Sequence, residues 1–277
     1  MVPAAASKMR PATPDLAPRA GLSRDEMEAL QRRVAEAAVF EDDLPFDPAS
    51  VSLDDPDATT LTGTDSGSDT DPPLVAGVDQ AFLDDRAVSA VVVFRGGEVV
   101  ERVYAVSDLD LPYIPGLLSF REGGPILDAL AELEHDPDLL VFDGSGRIHF
   151  RQAGLATHVG VVCDVPSIGV AKSLLCGTPD EDVDGHPEGW NTPIRADDAV
   201  DAVGGHPATP ETVLGYAFQS RQYDSQPIVN PLYVSPGHRL SPETTVDLVA
   251  RLGGDYKLPE PTRLADAYAD EVKTRYE

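Results

Sequence analysis

Three carboxylates stand at positions that suit chemistry. Asp79 interrupts the apolar, β-prone run Val75–Phe82, where a charge is expensive unless a metal or another partner satisfies it. Asp143 follows the apolar run Leu139–Phe142 and opens the turn Gly144-Ser145-Gly146. The carboxyl end of a strand, followed by a glycine-rich turn, is where open α/β sheets carry ligands. Glu122 falls between the two, at the start of an amphipathic segment. Acids converging from adjacent strand and helix ends would hold Mg2+ or Mn2+ through oxygen, the preference of hard cations. A pair of such ions can activate water and stabilise a leaving oxygen in phosphodiester cleavage. Any one of the 48 acids in this chain is as readily a cap or a solvated turn, so the neighbours matter. Lys172 in IGVAKS and His238 in SPGHR each follow a buried-looking strand and can contact a phosphate or an attacking water, although a lone histidine is more often structural.

These residues need a scaffold, and the patterning describes one. Ser23 with Glu26 forms a capping box before Met27, Leu30, Val34 and Ala38 at helical spacing, which predicts a helix over 24–39. Residues 1–21 read as a disordered arm, and 22–277 as a single domain. The stretch 41–73 is an acidic loop, too polar to bury much. Residues 75–82, 87–94 and 99–106 are β-rich and separated by Asp84-Asp85 and Arg95-Gly96-Gly97, the signature of an antiparallel meander. Next come a helix at 122–135, a strand at 139–142, a helix at 152–163 and a strand at 167–170. A long Gly/Pro/Asp-rich loop over 176–210 leads to strands at 213–219 and 230–235 and a last helix at 242–252. Hairpins followed by alternating helices and strands give a mixed α/β sheet flanked by helices.

Composition bounds the partners. Against its 48 acids the chain has 21 basic residues, for a net charge of −27, which excludes a simple basic-patch binder of nucleic acid. Only 4 of the basic residues are Lys, and the excess is spread evenly, −9 over residues 1–73 and −18 over the rest. Such a surface suits a cytosol full of salt, where screening at ~1 M ionic strength shortens the Debye length to about 3 Å. No apolar run reaches the ~18 residues of a membrane span and no signal-peptide core is present, so a cytoplasmic protein without a membrane is expected. Cys163 and Cys176 have no CxxC spacing, excluding a disulfide framework or a zinc ribbon. His186 and His206, in the long loop, read as solvated. The Asp-Gly-Ser-Gly turn is neither a dinucleotide fingerprint nor a phosphate loop, and no GxSxG elbow accompanies Ser235.

The segments GVDQAF (77–82), LPYIPGLLSFRE (111–122), VFDGSGRIHFRQAGLATHVG (141–160), PSIGVAKS (166–173) and NPLYVSPGHRLS (230–241), in this order and spacing, resemble endonuclease V, the deoxyinosine 3′ endonuclease. The resemblance covers about 22–40 and 74–252. It implies an RNase H-like fold and a metal-dependent nick at the second phosphodiester bond 3′ to a hypoxanthine base in DNA, in a monomer; inosine-containing RNA stays open as a substrate. Carried over, Asp79, Glu122 and Asp143 match the metal-binding acids, Lys172 a residue near the scissile phosphate, and His238 a second catalytic-site residue. Tyr113, within Pro112-Tyr113-Ile114-Pro115, looks like the wedge that separates the strands. A rigid, proline-flanked aromatic can stack in the space a flipped base leaves. Leu118, Gly144 and Leu155 match positions lining the base pocket, where main-chain N–H groups would read the acceptors of hypoxanthine, and His149 matches a further nearby residue. Phe150 stands where the family usually has proline, and the stretches 50–73 and 176–210 are longer than the family's pattern.

Overall fold

Hairpin turns set one half of the sheet. In the computed structural model, which describes residues 9–53, 71–223 and 230–277, strands β1 (Leu74–Phe82), β2 (Arg86–Arg95) and β3 (Glu98–Asp108) form the expected antiparallel meander. Strands β4 (Leu139–Asp143) and β5 (Ser167–Ala171) continue the sheet parallel to β1. Both are nearly all apolar because helices cover both of their faces. Strands β6 (Thr178–Pro179), β7 (Asn191–Arg195), β8 (Val213–Phe218) and β9 (Leu232–His238) complete it antiparallel, in the order β3-β2-β1-β4-β5-β9-β8-β7-β6.

Helices α1 (Arg24–Ala37), α2 (Leu118–Leu130), α3 (Leu155–Cys163), α4 (Pro242–Arg251) and α5 (Glu260–Lys273) flank this sheet. Val78, Leu140 and Phe142 meet Ile126, Leu130 and Val159 in the layer under α2 and α3. The alternate residues Val75, Val141, Ile168 and Val170 meet Val246 and Leu248 of α4 on the other face. Helix α1 packs outside α3 through Leu30, Val34 and Val161, and its capping box is formed on both sides, Ser23 with Glu26. Among the described residues no helix is long and apolar enough to cross a membrane.

The structure corrects four expectations about the elements. Residues 9–20 of the supposed disordered arm are docked on α3: Ala12 N–H donates to Val162 O at 2.7 Å, Thr13 Oγ1 to Val161 O at 3.0 Å, and Leu16 is buried. The last carbonyls of a helix lack intrahelical partners, and this segment supplies them. Residues 1–8 lie outside the described part, as do 54–70 of the acidic loop. Helix α2 starts four residues earlier than the pattern indicated, so Glu122 sits in its second turn and is buried. The 176–210 stretch is not one loop, since β6 and β7 extend the sheet from it. Finally, α5 follows α4, where the pattern predicts the last helix. Its buried stripe, Pro261, Thr262, Ala265, Ala269 and Val272, is made mostly of small residues, and this is why hydrophobic periodicity missed it. It lies against β1 so closely that a Cβ on Gly77 would meet Pro261 O at 2.0 Å.

Candidate active site

The parallel register Val78↔Phe142 brings Asp79 and Asp143 to one level on neighbouring strands. Val78 and Phe142 belong to the layer under α2 and α3, so by alternation the two acids face the side carrying α5. With Glu122 from α2, Lys172 just beyond β5 and Asp266 from α5, they line a cleft of about 240 Å³. The sequence pattern does not point to Asp266, which lies in α5. Its only sequence signal is a proline-marked start, Pro259-Glu260-Pro261, before a weak apolar stripe.

Burial sets the electrostatics. Asp79 Oδ1 accepts from the Gln80 N–H at 2.7 Å, but Oδ2 is buried with no hydrogen-bond partner. Burial first, then the nearby Asp143 carboxylate, pushes the Asp79 pKa up to about 8. Burial likewise lifts Glu122 to about 7, against the pull of Arg121, whose Nη1 pairs with it at 3.0 Å. Lys172 Nζ bonds Asp143 Oδ2 at 2.6 Å. Burial disfavours that ammonium, but the bond to Asp143 and the adjacent Asp79 and Asp266 outweigh it and raise its pKa. Among the described residues no three His, Cys, Asp or Glu side chains are placed so that together they could hold a metal ion. The chemistry of the cleft still suits a divalent cation: four carboxylates line it, Asp79 Oδ2 is orphaned, and burial disfavours the charged forms of Asp79 and Glu122 until a cation compensates.

Asp143, Leu155 and Lys172 also line a second cavity of about 320 Å³, which adjoins the cleft. Its walls include Tyr113, Leu118, Gly144 and His149. Tyr113, flanked by exposed Pro112 and Pro115, is the most exposed large hydrophobic side chain described, at 64%, while Ile114 packs into the layer around α1. Leu118 and Leu155 open α2 and α3, so their N–H groups are among those a helix leaves unpaired. Gly144 differs from its expected role: its N–H is engaged with Val170 O at 2.9 Å, so it contributes wall, not a donor. His149 is buried and, through burial and then the neighbouring Arg151, its pKa falls to about 3. It stays neutral, accepting from Arg151 N–H at Nδ1 and donating from Nε2 to Gly116 O.

His238 is not brought into this site. Strand β9 runs antiparallel to β5, so the β9 residue level with Val170, and hence with Asp143, is Val234, and His238 pairs with Ser167 at the far end. Four residues of strand place it roughly 13 Å away. There it accepts from Val39 N–H at 3.2 Å and faces Asp164 at 3.3 Å. His238→Ala is expected to destabilise the fold by about 1–3 kcal/mol, measured by denaturant melts, while the cleavage rate of the folded fraction stays within about twofold. His206 is not a solvated loop histidine either, since its ring donates to Ala38 O at 3.0 Å and packs edge-on against Phe40.

Carboxylates gathered at strand ends beside a second cavity form an arrangement suited to metal-assisted hydrolysis of a phosphate-linked polymer. Residues 59–267 match the family model for endonuclease V. An endonuclease V from the halophilic archaeon Natronomonas pharaonis is 59% identical over 268 residues, covering 97% of this chain and 99% of that one. The crystal structure of the Streptomyces avermitilis endonuclease V has a TM-score of 0.70 at 29% identity, covering 94% of this chain and 99% of that one. A Ciona intestinalis endonuclease V, solved with DNA containing an inosine, shares the fold with a TM-score of 0.65 at 22% identity, over 91% of this chain and 98% of that one. The chain belongs to the endonuclease V family.

Proposed function

We propose that this protein nicks DNA at the second phosphodiester bond 3′ to deoxyinosine, with Mg2+ as its cofactor and Mn2+ able to replace it. The observation that carries this reading is the orphaned Asp79 Oδ2, in an acidic cleft that shares Asp143 and Lys172 with the cavity beneath Tyr113. Tyr113 stacks into the gap left by the extruded base. The cavity takes that base among Leu118, Leu155 and Gly144, and the N–H groups that open α2 and α3 face its acceptors. Lys172 exchanges Asp143 for the scissile phosphate, neutralising charge as the leaving oxygen departs. A divalent ion held by Asp79, Glu122 and Asp143, with Asp266 alongside, would supply an activated water and charge stabilisation.

A nicking assay on inosine-containing duplex in concentrated KCl, with and without Mg2+, tests this reading; absence of Mg2+-dependent cleavage by the wild type would falsify it. An all-ribose inosine strand in the same assay decides the sugar preference. Asp266→Ala is expected to lower cleavage about 10- to 100-fold by loosening the ion's surroundings. That loss should shrink as Mg2+ is raised, and a loss independent of Mg2+ would remove Asp266 from the cleft's cation-holding set.

A further inference from the structure

Three side-chain donors converge on one carbonyl oxygen. Gln31 Nε2 at 3.0 Å, His149 Nε2 at 3.1 Å and Arg151 Nη2 at 3.1 Å all donate to Gly116 O. A carbonyl has two lone pairs, so this oxygen is saturated, and all three donors come from buried residues. Gly116 has φ +76°, and a Cβ there would meet the Phe150 ring at 3.0 Å, so only glycine suits the turn. It is also the residue directly after Pro112-Tyr113-Ile114-Pro115. Prolines stiffen that segment, so the aromatic ring inherits its position from the segment's ends, and Gly116 is one of them.

Gln31 and Gly116 both line the cavity beside Tyr113, yet the polar atoms of Gln31 are turned to protein partners. Its side chain is fully buried, Oε1 accepts from Arg151 Nε at 2.7 Å, and Nε2 also reaches Ala153 O at 3.4 Å. Met27, Leu30 and Val34 already supply the apolar contacts that seat α1, and an apolar residue at position 31 would pack as well. With its donors and acceptor committed to protein groups, the carboxamide acts through Gly116 and not on the base.

We infer that Gln31 is a positioning residue for strand separation: by holding Gly116 O it sets where Tyr113 stands over the base cavity. The inference rests on the function proposed above. It makes a demand that a purely structural role does not, because a wedge is needed only when the inosine has a pairing partner to displace.

Single-turnover cleavage of one inosine oligonucleotide, single-stranded and annealed to its complement, tests it with wild type, Gln31→Met, Tyr113→Ala and the double variant. Gln31→Met is expected to slow duplex cleavage about 10- to 100-fold and to slow single-strand cleavage at least about tenfold less. The double variant should cut duplex no more slowly than Tyr113→Ala alone, since both changes disable one device. Gln31→Glu, of the same size but turning an acceptor toward Gly116 O, should reproduce the duplex-selective loss if Gln31→Met melts too low to assay. Equal losses on the two substrates, or additive losses in the double variant, overturn the inference. Wild-type protein cutting neither substrate is a separate result, which removes the proposed function and this inference with it.

Discussion

Asp79→Asn should abolish cleavage and at the same time make the metal-free protein more stable. The loss of activity is expected to be roughly a thousandfold or more, because the amide can neither hold a cation through its charge nor stabilise a developing charge beside it. The gain in stability follows from the sign of the pKa shift. Asp79 titrates near 8 in the fold against about 3.9 in an unfolded chain. Between those values the folded state binds more protons than the unfolded state, so stability is fully present below about pH 4 and is lost as pH rises through 8. Glu122, lifted to about 7, adds to the same slope. Removing the Asp79 charge should recover on the order of 2 kcal/mol or more near pH 8. Thermal melts of wild type and Asp79→Asn in EDTA between pH 5 and 9 read this directly. The two curves should diverge as pH rises, and Mg2+ should stabilise the wild type most at high pH, because binding favours ionised ligands. Parallel curves would mean that Asp79 is ionised and satisfied in the metal-free fold.

Low ionic strength should unfold the protein. The net charge is −27, and the ion pairs among the described residues are mostly exposed, such as Arg32 with Asp201 and Arg195 with Asp180. Exposed pairs are worth about 0–1 kcal/mol each and cannot offset repulsion among the unpaired acids. At ~1 M salt the Debye length of about 3 Å confines that repulsion to neighbours, whereas at ~0.01 M it reaches about 30 Å and spans the molecule. Cleavage should fall with the fold, even though dilution of salt ordinarily strengthens binding to DNA. Far-UV circular dichroism and nicking, followed together over a KCl series, should show both signals rising with salt. A protein fully folded and active in millimolar buffer would remove the salt-adapted reading of its surface. Once the acidic cleft and the cavity are in view, the charge speaks less about the ligand than about the solvent.

Much of this protein is legible locally. The capping box of α1, the hairpin turns of β1 to β3 and the apolar β4 ending on Asp143 depend on residues a few positions apart, and short-range periodicity and turn chemistry carry them. Asp79 and Asp143 could be chosen from the chain because a charge within or directly after a buried strand is conspicuous without knowing what surrounds it.

What the tertiary structure alone decided concerns which end of the sheet a residue reaches and what stands next to it. His238 and Lys172 both follow strands in the sequence, yet the antiparallel pairing of β9 with β5 sends His238 to the opposite end. The small-residue stripe of α5 carries little periodic signal, and only the missing side chain at Gly77 lets that helix settle onto β1 and bring Asp266 to the cleft. Gly144 lends its N–H to Val170 across the sheet. Gln31, an unremarkable polar residue in a helix, meets Gly116, a partner 85 positions away. Strand direction, close approach and long-range hydrogen bonding are properties of the packed chain, which no window of neighbouring residues contains.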